Sequence, residues 1–198
     1  MEKDDIQKRL LNIGRQLVQE KGTDALTVRK LSEASGCSVG AIYNQFTNMD
    51  KFIMYQNYMT LKTLSKNLAQ VGRSDDPYAD INKMVHIFVE YVLKNKNLWY
   101  LLYRFHLHSE KQEFAFFYLR QVVKILRQIN APISEIVPDM ERPERVLSTQ
   151  VLWLTLFALS AFLTKNMLDS LAKVNKRSIC QILLNTYIAG LTVLEQKE

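Results

Sequence analysis

The sequence predicts an all-α protein of about nine helices. Helix breakers are scarce, with 6 Gly and 4 Pro in 198 residues, and apolar residues recur every three to four positions along most of the chain. A composition of 47% hydrophobic and 23% charged residues is that of a globular protein long enough to bury a substantial core. Cys37 and Cys180 make no disulfide framework, and no charged-apolar-small leader pattern opens the chain, so a reducing cytoplasm is expected.

In the first helix Ile6, Leu10, Ile13 and Leu17 share one stripe, with Asp4 and Asp5 at its positive end and Lys21 at its negative end. Two short helices follow. Thr27 can cap the first of them, Leu31 and Ala34 fall on one face, and Gly36 supplies the left-handed residue that ends it. Ser38 caps the second, in which Ile42 and Phe46 turn inward and Val39, Gly40, Tyr43 and Asn44 are left outward, while Ser32 is small enough to let the two helices cross closely. A fourth helix, near Asn48 to Val71, leads to a linker at Gly72–Asp76, where Asp76 caps a fifth helix from Pro77 to about Lys94. Asn95 and Asn97 break the pattern before a short aromatic helix to about His108. Ser109–Gln112 reads as a capping box for a helix that stops before Pro132, Ile133–Arg142 reads as a loop, and two last helices span about Pro143–Ser170 and Lys176–Gln196.

The two short helices around Gly36 have the grammar of a helix-turn-helix, which places an outward helix face where a DNA major groove would meet it. An ordinary helical hairpin has the same spacing. Leu26-Thr-Val-Arg-Lys-Leu31, Gly36-Cys-Ser38, Gly40-Ala-Ile-Tyr43, Phe46 and Asn48-Met-Asp-Lys51, in this order within residues 5–51, resemble the DNA-binding domain of the TetR family of bacterial repressors. The resemblance implies a three-helix DNA-binding domain over 1–47 and a helical effector-binding and dimerisation domain over 48–198. It implies that Thr27 and Tyr43 hold phosphates, that Arg29 reaches a guanine edge, and that Val28, Ser38, Val39, Gly40, Asn44, Gln45 and Lys51 lie at or near the DNA. Two residues depart from the family pattern. Met49 stands where a phosphate-contacting lysine is usual, so that clamp is missing or falls to Lys51, and Cys37 replaces an aliphatic residue, where a core thiol is preferred to a redox sensor.

A net charge of +6 suits a polyanionic partner, and residues 1–73 hold 11 Lys and Arg against 7 Asp and Glu. No catalytic constellation, phosphate loop or metal-ligand spacing is present, so neither enzyme activity, cofactor nor metal is expected. His106 and His108, two apart, point to different sides of a helix.

Aromatic residues crowd the middle of the chain. Phe88, Trp99, Tyr103, His106, Phe114, Phe117, Tyr118, Trp153 and Phe157 are candidates to line a pocket for a small apolar or aromatic effector, with plain core packing as the competing explanation. The uncharged run Val146–Thr164 is long enough for a membrane span, but its Ser and Thr content favours a helix buried on two sides of a homodimer. Leu152, Leu156, Leu159 and Leu163, with Ile179, Leu183, Tyr187, Gly190 and Leu194, are the interface candidates. The Lys173, Lys176 and Arg177 cluster reads as a solvated loop. The expected protein is a ligand-responsive repressor that binds a pseudo-palindromic operator as a homodimer. The alternative is a helical interaction protein of the same fold that has lost operator binding.

Overall fold

The computed structural model describes residues 2–108, 115–164 and 176–196. The chain is all-α over these residues, with helices α1 (Glu2–Lys21), α2 (Val28–Ser35), α3 (Val39–Phe46), α4 (Met49–Leu68), α5 (Pro77–Lys94), α6 (Lys96–His108), α7 (Phe116–Ile136), α8 (Arg142–Thr164) and α9 (Lys176–Glu195), and one short 3-10 turn at Thr23–Ala25. It divides into two compact units, one formed by residues 1–62 and 95–119 and the other by 63–94 and 120–198. α6 and the start of α7 belong to the first unit.

Leu10, Val18, Leu31, Ile42, Phe46 and Phe52 form the core of the first unit, and Leu98 and Leu101 of α6 complete it. Phe46 and Phe52 meet edge to face with centroids 4.7 Å apart, a favourable aromatic geometry. Leu31 packs inward as expected, but Ala34 is exposed. α1 approaches α4 closely at Gly14, where an added Cβ would lie 2.5 Å from the Phe52 ring. Polar side chains set the register of this pair, since Gln56 Nε2 donates to the Leu11 carbonyl at 2.7 Å and Arg15 Nη1 donates to Thr60 Oγ1 at 3.1 Å.

In the second unit α5 packs against α8 and α9 around Ile81, Val85, Phe88, Leu152, Leu156, Leu184 and Ile188. Asp76 caps α5 by accepting the Ala79 N–H at 2.9 Å, as the sequence predicts. Asp80 is held below the usual carboxylate range by the backbone and hydroxyl of Ser74, which donate to it at 2.8 and 2.7 Å.

Several boundaries differ from expectation. α4 ends at Leu68 rather than Val71, and α6 includes Asn97, leaving Asn95 alone at the break. α7 does not stop before Pro132 but runs to Ile136, so the expected loop shrinks. Proline in a helix interior removes one hydrogen bond, and here Ile129, Ile133, Ile136 and Val137 are all buried around it, so packing outweighs the local loss. The capping box at Ser109–Gln112, Phe114, the end of the penultimate predicted helix and Lys173 lie outside the described residues.

Gly14→Ala should destabilise the protein by about 1–3 kcal/mol, because the new methyl must displace the Phe52 ring from a filled core. Thermal unfolding checks this, and a melting temperature equal to that of the wild type would contradict the close α1–α4 approach.

Candidate nucleic-acid interface

The local geometry from Thr27 to Lys51 follows from its capping residues. Thr27 Oγ1 accepts the Lys30 N–H at 3.2 Å, and Ser38 Oγ accepts the Ala41 N–H at 3.2 Å, so each short helix begins on a side-chain cap. Gly36, at φ 69°, ends α2 with its N–H on the Ser32 carbonyl. Ser32 does more than permit a close crossing, since its hydroxyl donates to the Cys37 carbonyl at 2.6 Å and ties the turn to α2. Ser35 Oγ accepts the Cys37 N–H, which leaves both backbone groups of Cys37 paired. The Cys37 thiol is half-buried and receives a hydrogen bond from Arg9 at 3.2 Å.

α3 then has no choice of face. Ile42 and Phe46 are buried, which turns Val39, Gly40, Tyr43 and Asn44 to solvent, with Gln45 half-buried at the edge. Val39 and Tyr43 are 40% and 39% exposed. A Cβ at Gly40 would meet only Ser38 Oγ, at 4.0 Å, so the backbone there is open to close approach. Arg29, beside this face on α2, forms an exposed pair with Glu33 at 3.1 Å. Such a surface pair is weak, and its guanidinium is readily released to another anion.

Asn48 caps α4 by accepting the Lys51 N–H at 2.8 Å, and Lys51 is exposed just beyond α3. Met49, the departure from the family pattern, is partly buried against the core of the unit. Sequence reasoning missed Thr47. It joins α3 to α4 at φ 69°, a left-handed conformation that disfavours a β-branched residue, with its N–H on the Tyr43 carbonyl at 2.7 Å.

Residues 10–53 match the model of the bacterial regulatory proteins of the tetR family. Over these residues the chain is similar to the N-terminal domain of that family. Solved structures of the same fold accompany that match. The TetR-family transcriptional regulator PfmR of Thermus thermophilus aligns at 15% identity over 91% of this chain and 97% of its own, with a TM-score of 0.66. The regulator FadR of Bacillus subtilis, solved with stearoyl-CoA, aligns at 14% over 92% and 98%, with a TM-score of 0.70. RolR, solved with resorcinol, aligns at 14% over 95% and 88%, with a TM-score of 0.69. No curated protein matches the sequence.

The aromatic residues expected to line one pocket fall in two places. Trp99, Tyr103, His106, Phe117 and Tyr118 belong to the first unit, and Phe88, Trp153 and Phe157 to the second. In the first, Tyr118 OH and His106 Nε2 lie 3.1 Å apart, His106 Nδ1 lies 2.9 Å from the Leu102 carbonyl, and Phe117 stacks on Tyr55. Desolvation of its ring holds His106 below its ordinary value of 6.5, outweighing the Leu102 contact, and burial pushes the Tyr118 hydroxyl up. In the second, Phe88 and Trp153 line an apolar cavity of about 10 Å³ with Leu68, Met84, Val85 and Ile129. That is about the room one water needs.

The interface candidates separate by exposure. Leu152, Leu156 and Leu163 are buried in their own unit and are no part of a free face, whereas Leu159, Ile179, Leu183 and Tyr187 are partly exposed and Gly190 and Leu194 exposed. The outward stripe of α8 is instead Leu147, Val151, Leu154 and Phe162, spaced for one helix face, and α9 adds Ile182 and Val193. A helix apolar all round gives no periodic signal to choose between these faces. By length and composition alone α8, and Ser178–Glu195 of α9, are apolar enough to cross a membrane.

Thr47→Gly should raise stability by about 1 kcal/mol or more by removing the left-handed strain. Chemical denaturation checks it, with a loss of stability as the contrary result. A second expectation concerns pH. The depressed His106 binds a proton less readily folded than unfolded, so stability is full above pH 6.5 and falls as pH drops below it. Unfolding midpoints between pH 7.5 and 5 should show this slope, and His106→Gln should flatten it.

Proposed function

We propose that the protein is a ligand-responsive transcriptional repressor that binds a pseudo-palindromic operator as a homodimer. The observation that carries this reading is the outward face of α3. Val39, Gly40, Tyr43 and Asn44 are exposed because Ile42 and Phe46 are buried, and Thr27, Arg29 and Lys51 stand on the flanking elements. A recognition helix needs these properties: an open backbone, short polar side chains toward base edges, and hydroxyl or cationic groups for phosphates. Met49 does not weaken the reading, since its place against the core explains it and the exposed Lys51 supplies a cation nearby.

Dimerisation is supported by the exposed stripe on α8 and α9. Leu147 and Leu154 are 61% and 62% exposed and Ile182 is 65% exposed, an apolar surface that a second copy would cover. The Tyr187 hydroxyl adds a polar reason, since it is buried without a partner in a groove lined by Leu152, Thr155, Leu183 and Thr186. The effector reading rests on the aromatic groups and on the fold's likeness to regulators solved with resorcinol and stearoyl-CoA. Open grooves of about 570 and 310 Å³ lie beside α9, and the cavity of about 10 Å³ is too small to hold such an effector. A ligand shifts the DNA-binding equilibrium only as far as it prefers one state over the other.

Selection of bound sequences from random duplex DNA tests the proposal, and failure to enrich a two-fold symmetric site overturns it. On the selected site Arg29→Ala should cost about 1–3 kcal/mol and relax preference at one base pair, whereas Tyr43→Phe should weaken all sequences about equally. Unchanged affinity and base preference in Arg29→Ala would remove that residue from the interface. Leu154→Asp should yield a monomer of 23.1 kDa in light scattering, where the wild type gives twice that mass. A dimer in the variant would place the interface elsewhere.

A further inference from the structure

We propose that Arg9 of α1 is a phosphate-contacting residue of the DNA interface, placed at the start of α3. The inference rests on the DNA reading above and adds a contact from a helix outside the two that form the turn. α1 buries Leu10, Leu17 and Val18, and Ile6 and Ile13 pack against the same core, which leaves Arg9 exposed. Its side chain does not run free into solvent. Arg9 Nη2 donates to Cys37 Sγ at 3.2 Å, which brings the guanidinium to the residue that precedes the Ser38 cap of α3. Ser38, Val39 and Gly40, the next three residues, are all exposed.

The chemistry at that position favours an anion. A thiol is a weak acceptor, and a guanidinium carries five N–H donors in a fixed fork, so the Cys37 contact places the group and leaves most of its donors unspent. Among the described residues no ion pair includes Arg9, although Asp5 stands four residues before it on the same helix. The start of α3 is also the positive end of that helix, where a cation gains nothing from the backbone dipole. A guanidinium so placed has more to gain from a phosphate oxygen than from the thiol, because a charge-assisted hydrogen bond is about twice as strong as a neutral one. Lys51 lies just beyond the other end of α3, an eight-residue helix about 12 Å long. α3 thus has a cation at each end, with the exposed face of Val39, Gly40, Tyr43 and Asn44 between them. Phosphate contacts that flank a base-reading face fix its register on the duplex and carry no sequence information themselves.

The test measures duplex binding by fluorescence anisotropy over a salt series, on the operator recovered by selection and on a scrambled duplex. The full-length wild type is compared with Arg9→Gln and Arg9→Lys. Arg9→Gln should weaken both duplexes by a similar factor, about threefold or more at low salt, and should flatten the slope of log K against log salt by about 0.9, the share of one phosphate contact. Arg9→Lys, which keeps the charge, should recover most of that slope. Both variants should melt with the wild type, because the side chain is exposed. A loss of affinity at constant salt slope would make Arg9 a prop for the turn, and a loss confined to one base pair would make it a base reader; either overturns the assignment. Equal affinity in wild type and Arg9→Gln also overturns it and leaves the DNA reading standing. A wild type that binds no duplex at all overturns the DNA reading and this contact with it. Stabilisation of the wild type by millimolar inorganic phosphate, lost in Arg9→Gln while DNA affinity is unchanged, overturns the assignment in favour of a free anion.

Discussion

The face of α3 that is buried decides which of its residues can meet a partner. Ile42 and Phe46 are 1% and 0% exposed, each stabilising the unit by about 1.5–3 kcal/mol through burial. A helix turn of 3.6 residues leaves no freedom after that, and positions 39, 40, 43 and 44 must face solvent. The constraint is shared with distant chain, because Leu98 and Leu101 of α6 belong to the same core. α3 is held by a segment that returns to the first unit after α5, so its placement is a property of the whole unit.

α6 is tied into the first unit along much of its length. It touches α1 through Leu98 and Leu101 and through Asn97, whose amide donates to the Gln19 carbonyl at 2.9 Å. Arg104 adds hydrogen bonds to Thr23 and Asp24, and an exposed ion pair of this kind contributes about 0–1 kcal/mol. The apolar contacts are worth more than the ion pair, so a displacement of α6 would be felt at α1 mainly through packing. Near its other end, His106 bonds Tyr118 and the carbonyl of Leu102. The segment thus carries both an apolar anchor and a histidine whose neutral form is favoured, and a charged imidazole there would lose solvation that those two contacts do not restore.

The helix-turn-helix was legible because its information is local. Caps at Thr27 and Ser38, the left-handed Gly36 and the Ile42–Phe46 spacing each act within four residues. What was not legible required knowing the neighbours. Pro132 reads as a stop, yet the burial of Ile129 and Ile133 around it carries the helix through. Leu152 and Leu154 are chemically identical, and only the packing of α8 on α5 makes one core and the other surface. Gly14 and Thr47 gave no signal at all. A close helix approach and a strained turn are tertiary facts, and each sits at a residue type that sequence patterns treat as ordinary.

The α1–α4 seam shows how such tertiary facts reach the candidate interface. Gly14 lets the two helices approach, and the Gln56–Leu11 and Arg15–Thr60 hydrogen bonds fix how far one slides along the other. An apolar seam alone tolerates slippage, because one leucine fits much like the next. A buried amide that must find a carbonyl does not. Fixing the register of α4 against α1 fixes its first turn, which carries Lys51 immediately after α3. Thr47, in its left-handed conformation, is the single residue that bridges the end of α3 to the Asn48 cap, and two rigid elements separated by so short a turn constrain each other strongly. The polar pairs on one side of α4 therefore hold the first turn of α4, and with it the end of α3, in place.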